Sequence, residues 1–164
     1  MKKVTNLMTQ WFTDGVLDRE DGPAIEWTDG NKTWYKSGLI HREDGPAVLN
    51  KHGDVLYLID GRFSREDGPA KIFKSGRKEW YKRGILHRKR GDGPAIESED
   101  GDKYWYVYNC LHRDGDLPAV EYSDGEKHWY RKGLRHRENG PAVESKYIKE
   151  YWINGEKIER GKNK

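Results

Sequence analysis

The chain has 164 residues, 34% hydrophobic and 36% charged, with 31 Lys and Arg against 28 Asp and Glu and a net charge of +3. So small a net charge implies no nucleic-acid partner by itself, and so few apolar residues exclude a large closed core. The 12% aromatic residues and 19 glycines at regular positions argue against disorder. A single cysteine, Cys110, excludes an internal disulfide, and no run approaches the roughly 20 apolar residues of a membrane helix.

Residues 1–10 form a lead-in: two lysines are followed by Thr5, Asn6, Thr9 and Gln10 before any apolar run develops, unlike a signal peptide, so a cytoplasmic protein is expected. Residues 11–155 are a tandem array. Pro23, Pro46, Pro69, Pro94, Pro118 and Pro141 follow one another at intervals of 23, 23, 25, 24 and 23, each followed by alanine, and the fullest copy of the phrase runs from Trp34 to Ala47. A period in the low twenties means a small supersecondary unit stacked on its own copies. Such an array presents an extended surface, whereas catalysis needs a unique constellation.

Within each copy proline begins a strand, a place where its missing donor costs nothing. Seven residues later come Gly30, Gly53, Gly76, Gly101 and Gly125, and Asp-Gly at this point predicts a two-residue hairpin turn. Eleven residues past each proline stand Trp34, Tyr57, Trp80, Trp105 and Trp129, aromatics suited to strands. A second turn follows at Gly38, Gly61, Gly84, Asn109 and Gly133. The two-residue turn would place Ile25, Trp27, Lys32, Trp34 and Lys36 on one face and Ala24, Glu26, Thr33 and Tyr35 on the other. The expected fold is all-β, an elongated single-sheet solenoid of about six stacked antiparallel β-hairpins with a period of 22 to 25 residues. Its open strand edges permit self-association. Residues 156–164 read as a polar tail. The last copy leaves its register open, because Trp152 counts correctly from Pro141 but Tyr151 counts correctly from Gly155.

These aromatic, Gly, His and Gly positions resemble MORN-type repeats, and more closely the MORN-variant repeats of YwqK-like proteins frequent in bacteria, phages and giant viruses. The resemblance covers residues 11 to 155. It implies a β-hairpin array that binds proteins and lacks catalysis or cofactors, and its distribution implies a phage-encoded inhibitor of a host enzyme or defence system. The His-Arg-Glu-Asp-Gly-Pro-Ala element is an addition to the ordinary MORN pattern.

Three columns invite a chemical reading. Arg19, Arg42, Arg65, Arg88, Arg113 and Arg137, beside Glu20, Glu43, Glu66, Asp114 and Glu138, read as Arg–carboxylate pairs tying turns together, with an anion-binding strip as the alternative. His41, His87, His112 and His136 recur once per unit, too far apart to share a metal ion, and read as stacking or turn-bonding residues. Lys78, Trp80, Lys82, Lys103, Trp105, Lys127, Trp129 and Arg131 interleave rings and cations, as a nucleotide or single-stranded nucleic acid would require. The structural alternative is that lysine stems cover the rings, as Lys32 would cover Trp27.

Function is expected where copies depart from the pattern. Two consecutive loops carry insertions, one basic (Arg88, Lys89, Arg90, Asp92) and one acidic (Arg113, Asp114, Asp116), and Leu117 replaces the usual glycine. These eight residues are the expected protein-binding site. The stretch Val55–Ile59 with Phe63, Ile72 and Phe73 is apolar on both faces, either tight core or a contact patch. No metal site is expected, and an enzyme would require a unique polar cluster, for which Cys110, Asp114 and Asp116 are the only non-repeating candidates.

Overall fold

The computed structural model describes residues 1–89 and 91–159. The residues after each proline pair in antiparallel fashion with the segment beyond the first turn, and the loop between them has three residues where two were expected. Trp27 N–H donates to Asn31 O at 3.0 Å and Gly30 N–H to Trp27 O at 3.0 Å, so Thr28, Asp29 and Gly30 form the loop. Gly30 closes it at φ 96°, a left-handed conformation that favours glycine.

This extra residue corrects the expected faces. Ile25 pairs with Thr33 and Glu26 with Lys32, and likewise Val120 with His128 and Glu121 with Lys127. A one-residue slip sends a whole strand's side chains to the opposite side. Ile25 and Trp27 therefore share an inner face with Thr33, while Glu26 shares the outer face with Lys32. Lys32 lies across from Glu26 and does not cover Trp27.

The second strand then breaks at its aromatic residue. Trp34 N–H donates to Ala47 O within the sheet at 2.8 Å, and Trp34 O accepts from His41 N–H at 3.1 Å in a separate hairpin, Tyr35–Lys36 with Leu39–Ile40. Tyr57, Trp105 and Trp129 pivot in the same way. Each side hairpin joins the one before through its turn, as when Gly61 N–H donates to Ile40 O at 2.8 Å and Gly133 N–H to Leu111 O at 2.9 Å. Residues of these hairpins meet the inner face: Lys71 Nζ lies 4.1 Å from the Phe63 ring and 4.7 Å from Tyr81, and Tyr130 lies 6.3 Å from His128. The core is on this side, with Ile25, Leu58, Ile96, Val120 and Val143 buried. The alanine after every proline is fully buried.

The chain forms two compact units, Met1–Ile85 and Leu86–Lys164. In the first, Lys2–Val4, Met8–Thr13, Ile25–Trp27, Lys32–Thr33, Val48–Leu49, Val55–Leu56, Lys71–Ile72 and Lys78–Glu79 pair in that order. In the second the order is Ile96–Glu97, Lys103–Tyr104, Val120–Glu121, Lys127–His128, Val143–Glu144, Lys149–Ile153 and Glu156–Ile158. Each unit is the all-β array of stacked antiparallel hairpins that the repeat implies.

The last copy's register is settled by a shorter turn. Ser145 N–H donates to Ile148 O and Val143 pairs with Glu150, so one residue fewer separates the strands. Arg137 N–H accordingly donates to Trp152 O, as Arg42 N–H does to Leu58 O, and Tyr151 takes the aromatic column.

Candidate functional site: the charged loop edge

The arginine and aromatic columns form one motif. The guanidinium carbon lies 4.0 Å from the ring centre for Arg19 on Trp11, 4.3 Å for Arg42 on Trp34, 4.1 Å for Arg65 on Tyr57, 3.7 Å for Arg113 on Trp105 and 3.8 Å for Arg137 on Trp129. Nη1 donates to the proline carbonyl of the same loop, at 3.2 Å for Pro23 and 3.1 Å for Pro118. The carboxylate partner differs from expectation. Nε bonds Asp21, Asp44 and Asp67, two residues on, at 2.7, 2.8 and 3.0 Å, because the tight loop turns the adjacent glutamate outward. These hydrogen bonds from arginine, with its charge, hold the three aspartates below the usual carboxylate range. Nη1 also faces a glutamate three residues past proline: Glu26 at 3.5 Å, Glu97 at 3.2 Å, Glu121 at 2.7 Å and Glu144 at 3.6 Å.

This packing explains the glycine before proline. A Cβ at Gly22 or Gly68 would lie 3.0 Å from its arginine's Cζ, so the position must be empty for the guanidinium to cross it. The histidine column links successive side hairpins. His136 Nδ1 accepts from Asn154 N–H at 3.2 Å while Nε2 faces Glu138 at 3.3 Å, and Ser64 Oγ accepts from Arg83 N–H in the same role. His87 departs from this: its Nδ1 is buried without a hydrogen-bond partner, and its ring stacks on Tyr108 with centroids 5.0 Å apart. Among the described residues no cluster of three or more His, Cys, Asp or Glu is arranged to hold a metal ion.

Lys103 and Lys127 of the interleaved set stand in a cross-strand ladder with glutamates. Lys103 pairs across the sheet with Glu97 and Glu121, and Lys127 with Glu121 and Glu144. Trp105 and Trp129 are covered by Arg113 and Arg137, and Trp129 is buried. Trp80 is half-buried, Lys78 and Lys82 are exposed, and Arg131 Nη1 lies 3.4 Å from Glu138. Guanidinium groups thus occupy the place over the rings that lysine stems were expected to fill.

The two inserted loops meet around one cavity of about 230 Å³. Arg88, Lys89, Arg113, Asp114 and Leu117 line it together with Trp105, Tyr106 and Val107. Leu117 is 47% exposed. Asp116 faces the next loop instead, pairing with Arg137 Nε at 3.1 Å, and its carbonyl accepts from Trp129 Nε1 at 2.9 Å. Asp92 is exposed in the basic loop, and Arg90 lies outside the described residues. Five of the eight expected residues therefore share one cavity. Sequence reasoning missed its apolar wall, Tyr106 and Val107; the departure of Val107 from the cation that follows Tyr35, Tyr81 and Tyr130 was the available signal.

No helix among the described residues is long and apolar enough to cross a membrane. The chain matches no protein-family model and no curated protein.

Proposed function

We propose that the protein is a non-enzymatic binding module that holds a partner protein at the edge formed by residues 88–92 and 113–117. The observation that carries this reading is the cavity between the inserted loops, with an apolar wall, exposed Leu117 at its border, and a rim that is basic at Lys89 and acidic at Asp114. A concave apolar slot with a charged rim suits an anchoring side chain from a protein. The resemblance to phage and bacterial repeat proteins supports a cytoplasmic host enzyme or defence protein as that partner.

Affinity capture on the immobilised full chain tests this, with Lys89→Glu/Leu117→Asp as the matched control. One protein retained at high salt by the wild type and lost by the control is expected. Recovery of nucleotide or single-stranded nucleic acid alone would replace the reading with an anion-binding one through the Trp/Lys columns, whose affinity falls steeply with salt.

A further inference from the structure

Two arginines of the column each hold two carboxylates, on different edges of the guanidinium. Arg19 Nε bonds Asp21 at 2.7 Å while Nη1 faces Glu26 at 3.5 Å. Arg137 holds Asp116 along its Nε–Nη2 edge, at 3.1 and 3.4 Å, and Glu144 at Nη1, at 3.6 Å. A carboxylate at Nη1 therefore leaves room for a second, and that second one can come from outside the arginine's own loop.

Arg113 has only the first. Nη1 bonds Pro118 O and Glu121, and the guanidinium stacks on Trp105, but Nε and Nη2 have no hydrogen-bond partner among the described residues. The acids nearby are engaged elsewhere: Asp114 faces His112 Nε2 at 3.2 Å, Asp116 crosses to Arg137, and Glu138 faces Arg131 and His136. Asp92 precedes Arg113 by the same separation at which Asp116 precedes Arg137, yet its exposed side chain makes no such bond. Arg113 lines the cavity between the inserted loops, where Tyr106, Val107 and Leu117 supply apolar surface. Lys89 lines it too and makes no ion pair among the described residues.

We propose that the Nε–Nη2 edge of Arg113 is the subsite for a glutamate side chain of the partner protein, whose methylenes pack on Val107 and Leu117. This rests on the loop-edge reading above and names the residue that the partner inserts. The donor edge selects it, not the sign of the surroundings. A guanidinium already stacked and held at Nη1 presents two parallel N–H groups to one planar carboxylate, with little ordering left to lose on binding. A free phosphate would take the same donors but leave the apolar wall uncovered.

The Nε–Hε resonance of Arg113, assigned by its loss in Arg113→Lys, reads this edge without the partner. Acetyl-Leu-Glu-Leu-amide is titrated into the isotope-labelled full chain, with acetyl-Leu-Gln-Leu-amide and inorganic phosphate as comparisons. The glutamate peptide should shift that resonance and the Tyr106 and Val107 amides saturably, at about a tenth of the concentration the glutamine peptide needs, as a charge-assisted pair implies. In Arg113→Lys, shown folded by its urea transition, the amide shifts should require about tenfold more peptide, and Asp92→Asn should bind at least as well as the wild type.

Equal response to the two peptides, or response to phosphate alone, would overturn the subsite. So would an Hε proton that exchanges slowly with water in the free wild type and faster in Asp92→Asn, which would make Asp92 the occupant. A partner protein lost in Lys89→Glu/Leu117→Asp but held undiminished by Arg113→Lys would overturn the subsite and leave the loop-edge reading standing. Saturable glutamate-peptide binding at Arg113 with no protein captured would do the reverse.

Discussion

The guanidinium carbon of Arg113 stands 3.7 Å from the centre of the Trp105 ring, while Nη1 of the same side chain bonds Pro118 O at 3.1 Å and Glu121 at 2.7 Å. A planar cation that stacks and forks at once is not replaced by an ammonium point charge. Arg113→Lys is expected to lower stability by about 1 to 2 kcal/mol, from the lost stack and hydrogen bonds. The midpoint of urea unfolding measures it, and an unchanged midpoint would refute the role given to the stack.

Gly68 lies beneath Arg65, and an added Cβ would be 3.0 Å from its Cζ. Gly68→Ala should therefore cost about 1 to 3 kcal/mol, as overpacking does. Because the clash is with one side chain, Arg65→Ala should remove most of that cost. A double-mutant cycle that shows no coupling would mean that the backbone, not the guanidinium, requires glycine here.

Lys71 stands on the inner face where Ile25, Val48, Ile96, Val120 and Val143 stand in other copies, and it pairs with Glu79, 3.3 Å away at the charged groups. Burial raises the Glu79 pKa, but the Arg77 hydrogen bond and the charges of Lys71 and Arg77 outweigh it and leave the group below its ordinary value. A depressed folded-state pKa means that the carboxylate contributes stability above the ordinary glutamate range and loses it as pH falls through the lower value. Lys71→Ile/Glu79→Leu is expected to be neutral or up to about 4 kcal/mol more stable, whereas either single replacement costs about 3 to 5 kcal/mol. On acidification the double variant's advantage should grow, because only the wild type loses a carboxylate. Denaturation midpoints from pH 7 to pH 3 read both effects.

His136 bridges two side hairpins by accepting the Asn154 amide proton. His136→Ala should speed exchange of that amide roughly fivefold, for a bond of about 1 kcal/mol. Ser64 fills the same role by hydroxyl, so His136→Ser should exchange more slowly than the alanine variant. Equal exchange in the two variants would mean that packing of the imidazole, not its hydrogen bond, holds the hairpins together.

Residue spacing alone exposed the repeat, the hairpins, the two departing loops and the fact that arginine pairs with carboxylates. It misjudged which carboxylate and which face. Asp29-Gly30 fits both a two-residue and a three-residue loop, and only the hydrogen bond from Trp27 N–H to Asn31 O decides between them. One residue of loop inverts a strand, so Thr33 came to the face of Ile25 and Trp27, and Lys32 to that of Glu26. The stacks of arginine on tryptophan joined positions eight residues apart in the fullest copy, Trp34 and Arg42, which no local pattern connects. Val107 was visible as a departure but acquired meaning only beside the inserted loops.

The bond from Arg137 to Asp116 removes the equivalence of the copies. Arg19, Arg42 and Arg65 find their aspartate within their own loop, whereas Asn139 stands at that place after Arg137, and the carboxylate comes from 21 residues earlier. Genetic duplication or excision of one phrase among the early copies would leave every arginine with its aspartate. The same event between Asp116 and Arg137 would separate a bonded pair. The arginine–aspartate bond is therefore indifferent to array length in the first three copies and dependent on it where the loops have diverged.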